Sequence, residues 1–158
     1  MEKKVTRVYA DTSVFGGVFD QEFRRASTRF FEQVREGRFE LVSSAVVQAE
    51  IDPAPDKVKA FFDDILDIAR IVEVSDDALT LRQAYLEAGI LTQGSADDAL
   101  HVALATVSGC TLIVSWNFKH IVHFQKVPLY NAVNALKGHP SLKIHSPQEV
   151  IEYEDQDI

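Results

Sequence analysis

Cysteine is nearly absent: the 158-residue chain contains Cys110 and no other. One thiol cannot close an intramolecular disulfide, and no Cys/His group has zinc-ligand spacing, so a disulfide or zinc framework is excluded and a reducing cytoplasm is the expected setting. Cys110 reads as a small core residue. Long apolar runs are missing as well. None approaches the roughly 20 residues that a membrane-crossing helix requires, and the opening MEKKVTRVYA has charge without the apolar stretch of a secretory signal. Neither a membrane span nor a signal peptide is expected. Positive charge is scarce, with 16 Lys+Arg against 24 Asp+Glu, a net charge of −8 and a pI near 5.0. That balance opposes sequence-independent binding to a phosphate backbone. Any nucleic-acid role must rest on Arg24, Arg25 and Arg29, on Lys119, His120, His123 and Lys126, or on a bound divalent cation, and each cluster alone also reads as a solvated helix face.

What is present is enough apolar material, 46% of residues, for one sizeable core. A single domain over residues 1–151 is expected, with residues 152–158 as a frayed tail. Val5 to Ala10 reads as a buried strand. Glu22 to Glu36 reads as a helix with Phe23, Phe30, Phe31 and Val34 inward, closed by Gly37. A strand at Phe39 to Ser43 leads through Ser44 into a short helix carrying Glu50, which Pro53 and Pro55 terminate. Further helices are expected at Val58 to Ala69, Ser75 to Ala88, Ala96 to Ser108 and around Pro128 to Leu136, with strands at Ile71 to Val74, Thr111 to Val114 and Leu142 to Ile144, and a last segment Pro147 to Ile151. Strands alternating with helices imply right-handed crossovers and a parallel sheet covered on both faces, a three-layer α/β/α sandwich.

Within that pattern, four side chains fall where the chain turns back: Asp11 in VYADTSVF, Glu50 in VVQAEI, Asp98 in SADDALHVALA and Asn117 in IVSWNF. Asp11 and Asn117 follow the carboxyl ends of strand-like stretches, the edge at which open parallel sheets bind ligands. Three carboxylates and an amide oxygen form a hard donor set suited to Mg²⁺ or Mn²⁺. Each residue also has a plainer reading. Asp11, with Thr12 and Ser13, can cap the next turn, or be a metal carboxylate with a hydroxyl nearby to hold it or touch a phosphate. Glu50 lies in the apolar run SAVVQAEI, where a buried charge needs a partner such as a cation, or else it is exposed on an amphipathic helix. Asp97 and Asp98 sit in a first helical turn favoured by the macrodipole. His101 shares their face and can bond a carboxylate or carry a proton, or be structural. Asn117 can be a turn residue or a ligand, Trp116 and Phe118 read as core, and Lys119 or His120 can reach a phosphate.

Taken together, DTSVF, VSSAVVQAEI, ADDALHVALA and IVSWNFKHI resemble the four-motif layout of the PIN domain family, which includes the VapC-type toxins of bacterial toxin–antitoxin pairs. The likeness runs from Val5 to about Ile151. It implies a Mg²⁺- or Mn²⁺-dependent ribonuclease with Asp11, Glu50 and Asp98 at the first three acidic positions. Asp98 is preferred to Asp97 because it directly precedes ALH. At the fourth position, where many members have Asp, this chain has Asn117, which implies weaker metal binding or a selective enzyme. The resemblance further implies an RNA substrate, a small antitoxin covering the acidic groove and a homodimer. Two other classes compete. An aspartyl-phosphate phosphotransferase would use Asp11 as nucleophile, but Ser13 stands where haloacid dehalogenase-like phosphatases want a second Asp. A PIN-like module that has lost efficient chemistry at Asn117 would hold RNA or a protein without cutting.

Overall fold

The computed structural model describes residues 5–152. Five strands, β1 (Thr6–Ala10), β2 (Phe39–Ser44), β3 (Ala69–Val72), β4 (Leu112–Val114) and β5 (Lys143–His145), form one parallel sheet in the order β3-β2-β1-β4-β5. The intervening helices are α1 (Thr12–Gly17), α2 (Arg24–Arg35), α3 (Ala45–Ile51), α4 (Asp56–Leu66), α5 (Asp76–Glu87), α6 (Ala96–Val107), α7 (Val127–Leu136) and α8 (Pro147–Val150). They separate into two packed groups flanking the sheet, α1, α2, α3, α4 and α8 in one and α5, α6 and α7 in the other. This is the expected three-layer α/β/α architecture.

The order of strands places the site. The chain steps outward from β1 to β2 and β3, then returns to the other side of β1 to lay down β4 and β5. Adjacent crossovers therefore diverge between β1 and β4, leaving a crevice at the carboxyl ends of these two strands. Both strands are apolar because both faces are covered: Val8, Tyr9 and Ala10 in β1 and Leu112, Ile113 and Val114 in β4 are buried. The edge strands β3 and β5 are only partly buried.

Local chemistry sets most element ends. Ser44 starts α3 by accepting the Val47 N–H at 3.3 Å, and Ser75 starts α5 by accepting that of Ala78 at 3.1 Å. Gly109 closes α6 at φ 77°, a conformation that costs side-chain-bearing residues dearly. Three expectations are corrected. The helix expected to Ala69 ends at Leu66, and the following strand is Ala69–Val72, because Leu41 to Ser44 of β2 pair in register with Ala69 to Val72. The final strand starts one residue later than Leu142, whose N–H and C=O are both taken by the Asn131 carboxamide. Glu152, expected to fray, is anchored: its backbone N–H and C=O bond the Gln33 side chain at 3.0 and 2.7 Å, and its carboxylate pairs with Arg38. The rest of the expected tail, Tyr153 to Ile158, lies outside the described residues. Among the described residues, no helix is long and apolar enough to cross a membrane.

Candidate active site

Asp11 stands one residue past β1, with its N–H on the Val114 carbonyl of β4 at 3.3 Å. It occupies the N-cap position of α1, yet its side chain makes no cap bond. Instead its two oxygens accept from two hydroxyls, Oδ1 from Ser13 at 2.5 Å and Oδ2 from Ser115 at 2.6 Å. The residue is 4% exposed. Burial pushes its carboxyl above the usual carboxylate range; the charge of His101 and the two hydroxyl bonds pull the other way, and the charge of Glu50 adds to the rise. A buried carboxylate that makes no backbone cap bond and is held by hydroxyls from the first turn of α1 and the turn after β4 is a candidate functional group.

Glu50 and Asp98 arrive from α3 and α6, each bound to a histidine. Glu50 is not buried, as its apolar context allowed, but sits at the mouth with its side chain 37% exposed; its Oε1 meets His101 Nε2 at 2.5 Å. The exposed alternative therefore holds, with an imidazole as the side chain's partner. His101 is 2% exposed, and its Nδ1 lies 2.7 Å from the Tyr9 hydroxyl, which also meets Ser44 Oγ at 2.8 Å. Burial works to lower the His101 pKa, but the Glu50 bond and the charges of Asp11, Glu50 and Asp98 outweigh it and hold the imidazole above its usual value. Although His101 shares a helix with Asp97 and Asp98, its carboxylate is that of Glu50. Asp98 is partly buried and its Oδ2 meets His120 Nδ1 at 2.8 Å, while Asp97 is exposed.

Asn117 has a different role from the three acids. Its Oδ1 accepts the His120 N–H at 2.9 Å and its own N–H donates to Ser115 Oγ at 2.9 Å. It closes the turn that presents His120 to Asp98, and it reaches Asp11 through Ser115. Ser13 is the hydroxyl that holds Asp11, and it also accepts the Trp116 N–H at 2.8 Å, whereas the buried Thr12 Oγ1 has no hydrogen-bond partner among the described residues. Lys119 is exposed. Trp116 is buried as expected; Phe118 is not, at 50% exposure. Reading the sequence missed Tyr9, Ser44 and Ser115. A hydroxyl ending each of β2 and β4, at the carboxyl edge beside Asp11, was the available signal.

Among the described residues, no three His, Cys, Asp or Glu side chains stand close enough to hold an ion as they are arranged. The donor chemistry nevertheless fits a hard divalent cation: three carboxylates, one of them raised by burial, supply oxygens only. Each histidine engages one oxygen of its carboxylate, leaving the second.

The sequence matches the family model of the PIN domain over residues 8–120. The chain belongs to the PIN domain family. That span runs from β1 to His120 and so includes every acidic position above. No curated protein matches the chain in sequence. Among solved structures, this PIN domain is similar in fold to VapBC2 from Rickettsia felis bound to a DNA fragment from their promoter, at 15% identity and TM-score 0.59, covering 89% of this chain and 98% of that one. It is similar also to FitAcB from Neisseria gonorrhoeae, at 12% identity and TM-score 0.58, covering 90% and 99%. DNA-bound VapBC from Salmonella typhimurium matches at 12% identity and TM-score 0.57, again over 90% and 99%. PIN domains generally use divalent metal ions.

Proposed function

We propose that this PIN domain is a Mg²⁺- or Mn²⁺-dependent endoribonuclease and the toxin partner of a small antitoxin. The observation that carries the reading is the pair of hydroxyls holding the buried Asp11 at the divergence of β1 and β4, with Glu50 and Asp98, from two other elements, each held by a histidine. In this reading Asp11 and Asp98 hold the cation and Glu50 ligates it directly or through water. When bound, a divalent cation supplies charge stabilisation at the phosphoryl oxygens and acidifies the attacking water. The protein's own groups do the placing. Ser13 and Ser115 fix both oxygens of Asp11, the Tyr9 hydroxyl orients the His101 ring, and His101 aims Glu50. Asn117 contributes through the turn that carries His120, with no requirement that it be a ligand. An antitoxin would cover the acidic mouth with an Arg or Lys, since clustered carboxylates favour a cation. The fold likeness to VapBC and FitAcB supports this partner, and a homodimer is proposed on family grounds.

The test is cleavage of structured and single-stranded RNAs by the wild type, Asp11→Asn and Asn117→Asp with Mg²⁺, Mn²⁺ or EDTA. Cleavage is expected to need metal, to fall to background in Asp11→Asn, and to survive in Asn117→Asp. Full activity in Asp11→Asn would overturn the assignment. The engagement of the Asn117 amide in its turn favours a second reading, a module that binds without cutting. It predicts a wild type that binds RNA but cleaves none, with cleavage gained in Asn117→Asp.

A further inference from the structure

The turn after β4 carries an aromatic ring that the core does not cover. Phe118 is 50% exposed although its backbone is fixed, its N–H donating to the Trp116 carbonyl at 3.0 Å. The next residues fold onto Asn117, whose backbone carbonyl accepts from Ile121 and Val122 and whose side chain accepts from His120. The ring has a rigid backing. Trp116 meets it edge to face, with centroids 6.1 Å apart and planes at 68°, and Trp116 in turn stacks on Phe23 at 4.2 Å and 19° and donates Nε1 to Ser27 at 2.8 Å. Lys119 follows, exposed and, among the described residues, in no ion pair; His120 comes next, bonded to Asp98. An open aromatic ring and an unengaged ammonium thus lie within two residues of a side chain that touches the acidic cluster. Phe124 is more exposed, at 93%, but has no ring behind it among the described residues.

We propose that Phe118 is a stacking platform for one unpaired base of single-stranded RNA, with Lys119 on an adjoining phosphate, next to the acidic cluster. This rests on the ribonuclease reading and narrows its substrate class. The bases of a duplex are stacked on one another and offer no face to a side chain, so a ring used in this way selects a loop, bulge or end. Stacking also suits a protein of net charge −8, since it attracts a strand without neutralising its phosphates.

Binding is read in the Asp11→Asn background, so that the strand stays intact, with a short RNA carrying 2-aminopurine, free and as a duplex. Free RNA is expected to bind with quenched fluorescence. Phe118→Ala should weaken it about ten-fold and lose the quenching, Phe118→Tyr should restore both, and Phe124→Ala should match the parent. The duplex should bind weakly and ignore position 118. Unchanged affinity and quenching in Phe118→Ala, from a protein whose wild type cleaves RNA with Mn²⁺, would overturn the platform and leave the nuclease standing. A wild type that neither binds nor cuts RNA would overturn both. Loss of a dimer or of antitoxin binding in Phe118→Ala, with RNA binding intact, would make the ring a protein contact and overturn the proposal. Far-UV circular dichroism checks that each variant is folded.

Discussion

Asp11 illustrates how one residue can be placed against its own stability. Its carboxyl is buried and raised, which means that the folded state holds the ionised form less well than the unfolded chain does. A raised folded pKa contributes stability that is complete below the unfolded value and is lost as pH climbs through the folded one. In EDTA, Asp11→Asn is therefore expected to melt higher than wild type at pH 8, with the gap closing as pH falls through the raised pKa. Thermal melts across that range check it; a lower melting point at pH 8 would mean that the Ser13 and Ser115 bonds outweigh the burial cost. The place of Asp11 after an apolar strand was legible, while the partial burial of Asp98 against His120, with Asp97 exposed, was not. Glu50 was legible as a residue but not in its setting: the apolar neighbours Val47 and Ile51 face the core, while Glu50 lies on the open side of α3 against His101. Tyr9 could not be read, because its hydroxyl meets His101 and Ser44 across 92 and 35 positions of sequence.

Among the elements, α1 was unseen because TSVFGG is short and ends in two glycines, weak helix formers. Its reason lies in packing. Gly17 lets α1 close on the turn after β4: a Cβ there would stand 2.9 Å from Trp116 Nε1 and collide with Ser27. Gly17→Ala is expected to destabilise the fold by about 1–3 kcal/mol, and to weaken cleavage further by shifting Trp116 and the turn that holds His120. Urea unfolding followed by indole fluorescence measures the first effect directly, and an unchanged midpoint would show that Ser27 and Trp116 can yield. Helices α3, α5 and α6 were placed nearly correctly because their ends carry local signals, serine caps and a closing glycine. By contrast, β3 slid by two residues, since the register of an edge strand is chosen by its neighbour β2 and not by its own weak pattern.

At the scale of the whole molecule, the negative balance limits how nucleic acid can be held. Among the described residues four arginines are committed to ion pairs: Arg7 with Glu40, Arg29 with Glu32 and Glu36, Arg35 with Asp64, and Arg38 with Glu36 and Glu152. RNA binding is thus expected to involve only about 1–3 phosphate contacts, so that log K falls with log salt at a slope of roughly −0.7 to −2. Fluorescence anisotropy from low to moderate salt tests this, and a steeper slope would reveal a basic surface that the ion pairs conceal. The amino-acid order by itself determined the alternation of strands and helices, the single core and the parallel sheet, because hydrophobic period, caps and turn residues act over a few positions. Only the tertiary structure decided the strand order β3-β2-β1-β4-β5 and, through it, which hydroxyls and histidines the acids meet. It also left Phe118 outside the core that its apolar character suggested. Those outcomes depend on contacts between segments distant in the chain, where each side chain's partner is set by how two layers of helices divide over one sheet.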